Sequence, residues 1–351
     1  MSLSKKFKIA KHRCKGQLLK PAALIQMSKS AVLYSLTDIT GKDFHPSKPL
    51  AMMVEPSSRC NLKCPECAAG IGQVHRTPGD MDIDLYKKLI DEYSSNLLYV
   101  LLFNQGEPFL NKDFWGMIEH SHQKKVYTIT STNGHYIRND EEAINIINSG
   151  LDEIRISLDG LTPEVYEKYR IGGDFNRVVD GVRRLARAKR GLNCFTPIIE
   201  LQILLTSDTE SQIDDARDFG KKLGVDIVSA KTIQLLSPGD EQKFLPKENN
   251  YCRYDDENGR LVIKSIVKNR CKRLYFQMQV NSDGSVVPCC FDKDNSIVFG
   301  NISNGVFKNI WSGIKFESFR KKILKKRTAI DICCNCTEGI KELYSKKWYI
   351  Q

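Results

Sequence analysis

"SSRCNLKCPEC", residues 57–67, places three cysteines on one short stretch with Cys-x3-Cys-x2-Cys spacing. It directly follows the apolar run "LAMMV", residues 50–54. An apolar run that ends in a loop of reactive side chains suggests an α/β fold, where chemistry collects beyond the C-terminal ends of strands. The same alternation continues downstream. Strands are expected at 50–54, 98–103, 126–130, 153–158, 198–205 and 225–230. Helices are expected between them at 83–95, 112–123, 141–149, 162–189 (broken at Gly172-Gly173) and 209–223. Strands separated by helices imply right-handed crossovers and a parallel sheet. Six units are too few to close an eight-stranded barrel. The expected fold is therefore α/β, a partial (β/α)6 TIM-like barrel, with an open doubly wound sheet as the alternative.

The pattern changes on both sides of this region. Residues 1–49 are basic and read as an extension with a short helix near 21–36 that packs onto a neighbouring part. Residues 50–235 form the barrel, and 236–250 ("SPGDEQKFLPKENN" spans 237–250) read as a linker. Residues 251–351 then read as a small α+β domain. In it, "MQVNSDGSVVPCC" (278–290) sets Asp283-Gly284 between two alternating runs, a hairpin pattern, and a helix is expected at 308–323.

The chain has 351 residues with 53 Lys and Arg against 42 Asp and Glu, a formal net charge of +11. That excess favours acidic partners, although it is equally compatible with an inert basic surface. No apolar stretch approaches the ~20 residues that cross a bilayer, and no apolar run follows the basic start as a secretory signal would. Location in the cytoplasm, with no membrane partner, is the resulting expectation. Twelve cysteines then point to metal or redox chemistry rather than to a disulfide framework.

Three thiolates on one loop leave a tetrahedral zinc ion short of a ligand, but they can hold three irons of a 4Fe–4S cluster and leave the fourth open. With this spacing after a first strand, the chain resembles the radical SAM superfamily, in which the open iron binds S-adenosylmethionine (SAM). Glu66 stands where an aromatic residue is common. "FNQGEPFL" (103–110) resembles the family's Gly-Gly-Glu-Pro segment, with Gln105 in place of the first glycine. The resemblance implies that Gln105, Gly106 and Glu107 receive the methionine amino group. It likewise places Asn133 of "STNG", Ser157 and Asp159 of "ISLDG", and Arg170 of "YEKYRIGG" around SAM, with Arg170 on its carboxylate. Cys60, Cys64 and Cys67 are the implied cluster ligands.

The C-terminal cysteines resemble the SPASM or Twitch extension, which carries auxiliary clusters. The longer Cys-x2-Cys-x5-Cys run of a full SPASM domain is missing. The resemblance implies one auxiliary 4Fe–4S cluster on Cys271, Cys289, Cys333 and Cys336. Cys290 could replace Cys289 and Cys334 could replace Cys333, and the same spacing allows zinc. Cys252, in the stretch joining the domains, is a candidate hydrogen-atom donor, while buried packing is the plainer reading of an unassigned cysteine.

The family's chemistry is reductive cleavage of SAM and hydrogen abstraction from substrate. The second domain, with residues 1–49, is expected to cap the barrel mouth and exclude water. The substrate expected is a peptide or protein to be crosslinked, epimerised or oxidised. The alternative is a sugar, aminocyclitol or nucleotide-linked sugar, and acidic character suits either. The 49 residues before the barrel are fewer than the roughly 80–90 of the leader-gripping domain in many peptide-modifying members. Flavodoxin or ferredoxin is the implied electron donor. A metal-stapled nucleic-acid binder is the non-enzymatic alternative, but the aromatic residues sit in strand-like runs rather than along a basic stripe.

Overall fold

The computed structural model describes residues 2–18, 20–236, 242–264, 268–305, 307–337 and 345–350. Six parallel strands run through residues 51–232 in sequence order: β1 Ala51–Val54, β2 Tyr99–Leu102, β3 Tyr127–Thr132, β4 Glu153–Ser157, β5 Ile198–Leu205 and β6 Ile227–Thr232. Preceding them are α1 Ser2–Leu18 and α2 Pro21–Thr40. The crossovers use α3 Ile83–Tyr93, α4 Phe114–Gln123, α5 Asp140–Asn148, α6 Pro163–Tyr169, α7 Phe175–Gly191 and α8 Ala216–Leu223. Capping marks the starts of three of these helices: Asp82, Asn139 and Asp174 each accept a backbone N–H three residues on. The inner faces then pack as one core; α7 alone buries Val178, Val182 and Leu185, each burial contributing about 1.5–3 kcal/mol. Helix 162–189 does break at the glycine pair, between α6 and α7.

The C-terminal region adds β7 Tyr254–Glu257, β8 Arg260–Ile263, α9 Arg273–Phe276, β9 Gln277–Val280, β10 Ser285–Val287, β11 Gly300–Asn301, α10 Lys308–Trp311, α11 Ile314–Lys326, α12 Asp331–Cys334 and β12 Ser345–Tyr349. It continues the barrel's own sheet. β9 pairs parallel with β1, β10 and β11 follow antiparallel, and β12 pairs antiparallel with β6, giving the order β11-β10-β9-β1-β2-β3-β4-β5-β6-β12. The hairpin at Asp283-Gly284 forms, and Gly284 adopts φ +81°, which an L side chain resists. Helix 308–323 is divided at Ser312-Gly313 into α10 and α11. Of the expected linker, residues 237–241 lie outside the described residues.

The N-terminal segment is more structured than its composition suggests, and α1 does not cap the mouth. Ile9 of α1 packs with Ile198 and Ile227, the first residues of β5 and β6. Arg13 donates to Glu153 at 2.6 and 2.8 Å, and Lys5 pairs with Asp226 at 2.9 Å. These partners all lie at the N-terminal ends of strands, so α1 closes the bottom of the barrel. Basic residues hid this helix from the sequence reading because their partners are acids at strand starts, distant in the chain. α2 and the segment after it brace the C-terminal region: Tyr34 stacks edge-on with Tyr275, and buried Asp43 pairs with buried Arg320 at 3.0 Å. Among the described residues, no helix is long and apolar enough to cross a membrane.

Candidate active site

The cysteine loop leaves the end of β1 and is held by one main-chain and one side-chain hydrogen bond. Glu107 N donates to Arg59 O at 2.7 Å, and the Asn133 amide donates to Asn61 Oδ1 at 2.8 Å. Gly106 lies so close that a Cβ there would sit 2.2 Å from Ser57 O, so the segment after β2 needs a residue without a side chain. Cys64 is buried, and Cys60 and Cys67 are half-buried. Burial pushes the Cys64 thiol up to about 11, against the opposing pull of Arg170, and raises Cys60 as well. Thiols of this kind lose their protons when a metal core binds.

Among the described residues, no three His, Cys, Asp or Glu side chains converge on a single ion's position. Three ligands of a 4Fe–4S core bind three different irons and need no common point. The donor set and its backbone cradle therefore fit the cluster.

The expected SAM-binding residues surround this loop. Glu107 is buried and accepts from Thr132 Oγ1 at 2.7 Å and Asn133 N at 2.8 Å. Burial lifts its carboxyl to about 7 despite these donors. Gln105 lines the cavity described below, and Ser157 ends β4. Asp159 is buried, and its oxygens take Leu204 N at 2.8 Å and Arg170 Nε at 2.6 Å. What Asp159 does for the site thus passes through Arg170. Arg170 in turn reaches Cys64 Sγ at 3.7 Å, so it faces the first thiol cluster.

In the C-terminal region, Cys271, Cys289, Cys333 and Cys336 lie near one another, brought from three separate segments. Burial, then the neighbouring Cys290 and Cys271, raise Cys289 well above the ordinary thiol range. Burial raises Cys333 to about 11, with Arg327 pulling the other way. Arg327 donates to Cys336 Sγ at 3.0 Å and to Arg270 O at 2.6 Å. The two ambiguous neighbours point elsewhere. Cys334 is exposed and bonds to Thr328 O at 3.3 Å. Cys290 receives Arg273 Nη1 at 3.3 Å and lines the cavity beside Cys67.

That cavity, about 420 Å³, lies between the cysteine loop and the C-terminal region; its wall includes Cys67, Gln105, Arg253, Arg273, Cys290 and Lys293. Cys252 does not line it. It opens onto a different cavity beside Ser207 and Asp208, and packs among the apolar residues behind the loop, including Leu62. The 3-10 turn Asn249–Tyr251 directly precedes Cys252, and the structure does not bring this candidate hydrogen-atom donor to the cavity beside Cys67.

Two features escaped the sequence reading. Glu55, fully buried after β1, takes Arg76 Nη2 at 2.6 Å, Gln105 N at 3.2 Å and Ser282 N at 3.1 Å. One carboxylate thereby joins the loop base, the β2 edge and the C-terminal hairpin. The second feature is a polar barrel interior on alternate positions of β4 to β6. Arg155 lies beside Glu200, and Gln202 beside Ser229. Burial pushes the Lys231 ammonium down to about 8, helped by Arg155. The alternation of polar residues in "IIELQILL" and "IVSAKT" was the available signal.

Fold and site together define an α/β partial barrel with a cysteine loop at its mouth and a second thiol site alongside. Residues 54–219 match the Radical SAM superfamily and residues 271–337 match the SPASM iron–sulfur cluster-binding domain. The chain belongs to the radical SAM superfamily and carries a C-terminal SPASM domain. Its cofactors are accordingly a SAM-binding 4Fe–4S cluster, SAM itself and auxiliary iron–sulfur ligation.

The chain is 29% identical over 176 residues to the mycofactocin maturase MftC of Mycobacterium ulcerans, which covers 50% of this chain and 45% of that protein. It thus spans less than half the length of that relative. MftC of Mycolicibacterium smegmatis is 25% identical over 310 residues, covering 82% and 75% of the two chains. Among solved structures, SuiB of Streptococcus suis bound to S-adenosylmethionine superposes with a TM-score of 0.61 at 16% identity, covering 82% of this chain and 70% of SuiB. Native anSMEcpe with bound AdoMet and Cp18Cys peptide gives 0.55 at 20% identity, covering 84% and 92%. At these identities the structural likeness speaks for the fold alone.

Proposed function

We propose that this chain is an enzyme that cleaves SAM reductively and abstracts hydrogen from a peptide or protein substrate. The observation that carries this reading is the cavity walled by Cys67 and Gln105 on the barrel side and by Arg273 and Cys290 on the other. The reduced cluster, when bound, supplies the electron that splits SAM to methionine and a 5′-deoxyadenosyl radical.

The chain's own residues bind, orient and exclude water. Cys60, Cys64 and Cys67 would hold three irons of the cluster, and Arg170, fixed by Asp159, would steady the charge at Cys64. Glu107 is held by its donors beside the loop, where a carboxylate suits the methionine amino group. Asn133 fixes the loop through Asn61. The C-terminal region supplies one wall of the cavity at the mouth, Arg273, Cys290 and Lys293, and so narrows its access to bulk water. Cys271, Cys289, Cys333 and Cys336 would hold one auxiliary cluster with no open iron, suited to passing an electron or stapling the region. Relatives named as mycofactocin maturase, and a solved neighbour carrying a peptide, support the peptide reading.

The test begins with anaerobically reconstituted protein, SAM and dithionite. 5′-Deoxyadenosine should form in wild type and not in the Cys60→Ala/Cys64→Ala/Cys67→Ala variant. Incubation with candidate peptides should then give a peptide lighter by two hydrogens, or of unchanged mass with solvent deuterium taken up. Unmodified peptides alongside a modified nucleotide-linked sugar would replace the peptide reading.

A further inference from the structure

The wall of the proposed substrate cavity carries three cations, Arg253, Arg273 and Lys293. Arg253 is half-buried on its wall. Its guanidinium donates to Thr232 Oγ1 at 2.5 Å, Thr232 O at 2.7 Å, and Gln234 Oε1 and Thr337 Oγ1 at 3.3 Å each. All four acceptors are neutral, and among the described residues no carboxylate pairs with it. Lys293, on the same wall, makes no ion pair and no side-chain hydrogen bond among the described residues, although Glu66 and Asp294 are near enough to favour its charge. Glu66 is the one acid on that wall, and it accepts the backbone N–H of Leu236 at 2.8 Å. Behind Arg253, Lys231 feels the field of Arg155, Lys347 and Arg253, with Glu200 as the opposing charge.

A partly buried cation held by neutral acceptors costs stability. Such costs are characteristic of sites that await a charged partner. Most of the guanidinium N–H groups are taken by these neutral acceptors, so Arg253 offers an anion its charge and the N–H that remains, and the Lys293 ammonium adds a second point of contact.

We propose that Arg253, with Lys293, binds an anionic group of the substrate, a carboxylate or a phosphate, and so orients the substrate in the cavity. This rests on reading that cavity as the substrate site. A carboxylate would come from an acidic residue of a peptide, a phosphate from a phosphorylated small molecule. SAM has no phosphate, and its own carboxylate is the competing occupant to be excluded.

The experiment uses the SAM-saturated holoprotein at constant ionic strength. Binding of N-acetylglutamate and of inorganic phosphate is measured separately by calorimetry. Wild type should bind at least one saturably, and the stronger of the two identifies the source. Arg253→Gln should weaken it about tenfold, with partial recovery in Arg253→Lys. Lys293→Gln, which removes no hydrogen bond from the fold, should weaken it severalfold and guards against a merely misfolded Arg253 variant. Failure of both anions to bind wild type would overturn the proposal, as would binding that neither Arg253→Gln nor Lys293→Gln changes. Loss of SAM affinity in place of anion affinity would assign the guanidinium to SAM and also overturn it. Formation of 5′-deoxyadenosine by the same wild-type sample separates this failure from failure of the radical chemistry.

Discussion

The two thiol sites are built in opposite ways. The first is one loop: Cys60, Cys64 and Cys67 fall within eight residues and are held by a backbone contact to Arg59 and a side-chain contact to Asn61. The second is assembled by the fold, from the start of α9, the end of the β9–β10 hairpin and the α12 turn. Each has an arginine on a sulfur, Arg170 on Cys64 and Arg327 on Cys336, but their settings differ. Arg170 is paired with buried Asp159, which offsets its charge, whereas Arg327 is anchored on the carbonyl of Arg270. The lesson is that a site with an open position sits on a short loop facing a cavity, and a closed site is wrapped by distant segments.

The largest effect should come from removing either site. The triple Cys60/Cys64/Cys67→Ala variant should lose all SAM cleavage while keeping the second site's iron. Cys271→Ala with Cys333→Ala should do the reverse, losing roughly half the iron and retaining 5′-deoxyadenosine formation. Iron analysis beside chromatography distinguishes the two, and equal loss of cleavage in both would break the contrast.

Next comes the joint between the regions. Glu55→Ala leaves Arg76 buried without its partner and frees Gln105 N and Ser282 N. The expected cost is about 3–5 kcal/mol, read from denaturant unfolding of the holoprotein. A change under about 1 kcal/mol, the range of a solvent-exposed pair, would show that the two regions are not tied there.

A smaller effect is expected at Arg327. Losing a charged donor to a thiolate disfavours the reduced, more negative cluster. Arg327→Gln should therefore lower the second cluster's potential by on the order of 60 mV, a tenfold change for a one-electron couple. An EPR-monitored redox titration measures it, with the first cluster as internal reference; a shift of both clusters, or an upward shift, would contradict the assignment.

The smallest effects test the neighbours. Cys290→Ser and Cys334→Ser should keep the iron of the second site, and Cys289→Ser should lose it. Iron loss in Cys290→Ser would exchange the two.

The same contrast explains what could be read from sequence. The first site was legible because its ligands are close in the chain and strand ends follow in order: Gln105, Asn133, Ser157 and Arg170 each fall where an α/β fold gathers side chains. The second was legible in number but not in choice, since adjacent cysteines are separated only by which way the chain turns at Pro288 and α12. Shared sheet edges were invisible, because β9 joins β1 across more than two hundred residues and nothing local marks the pairing. Glu55 and Arg253 were missed for a related reason: a single charge in a loop gains meaning only from the buried partners, or their absence, that tertiary structure supplies.

The most direct test of the account is EPR of the reduced holoprotein with and without SAM, on wild type and on the two cysteine-site variants. SAM should perturb the signal of the first cluster, which persists in Cys271→Ala/Cys333→Ala. It should leave unchanged the signal remaining in the Cys60/Cys64/Cys67→Ala variant. A SAM-sensitive signal in that triple variant would place the open iron in the C-terminal site and contradict the account.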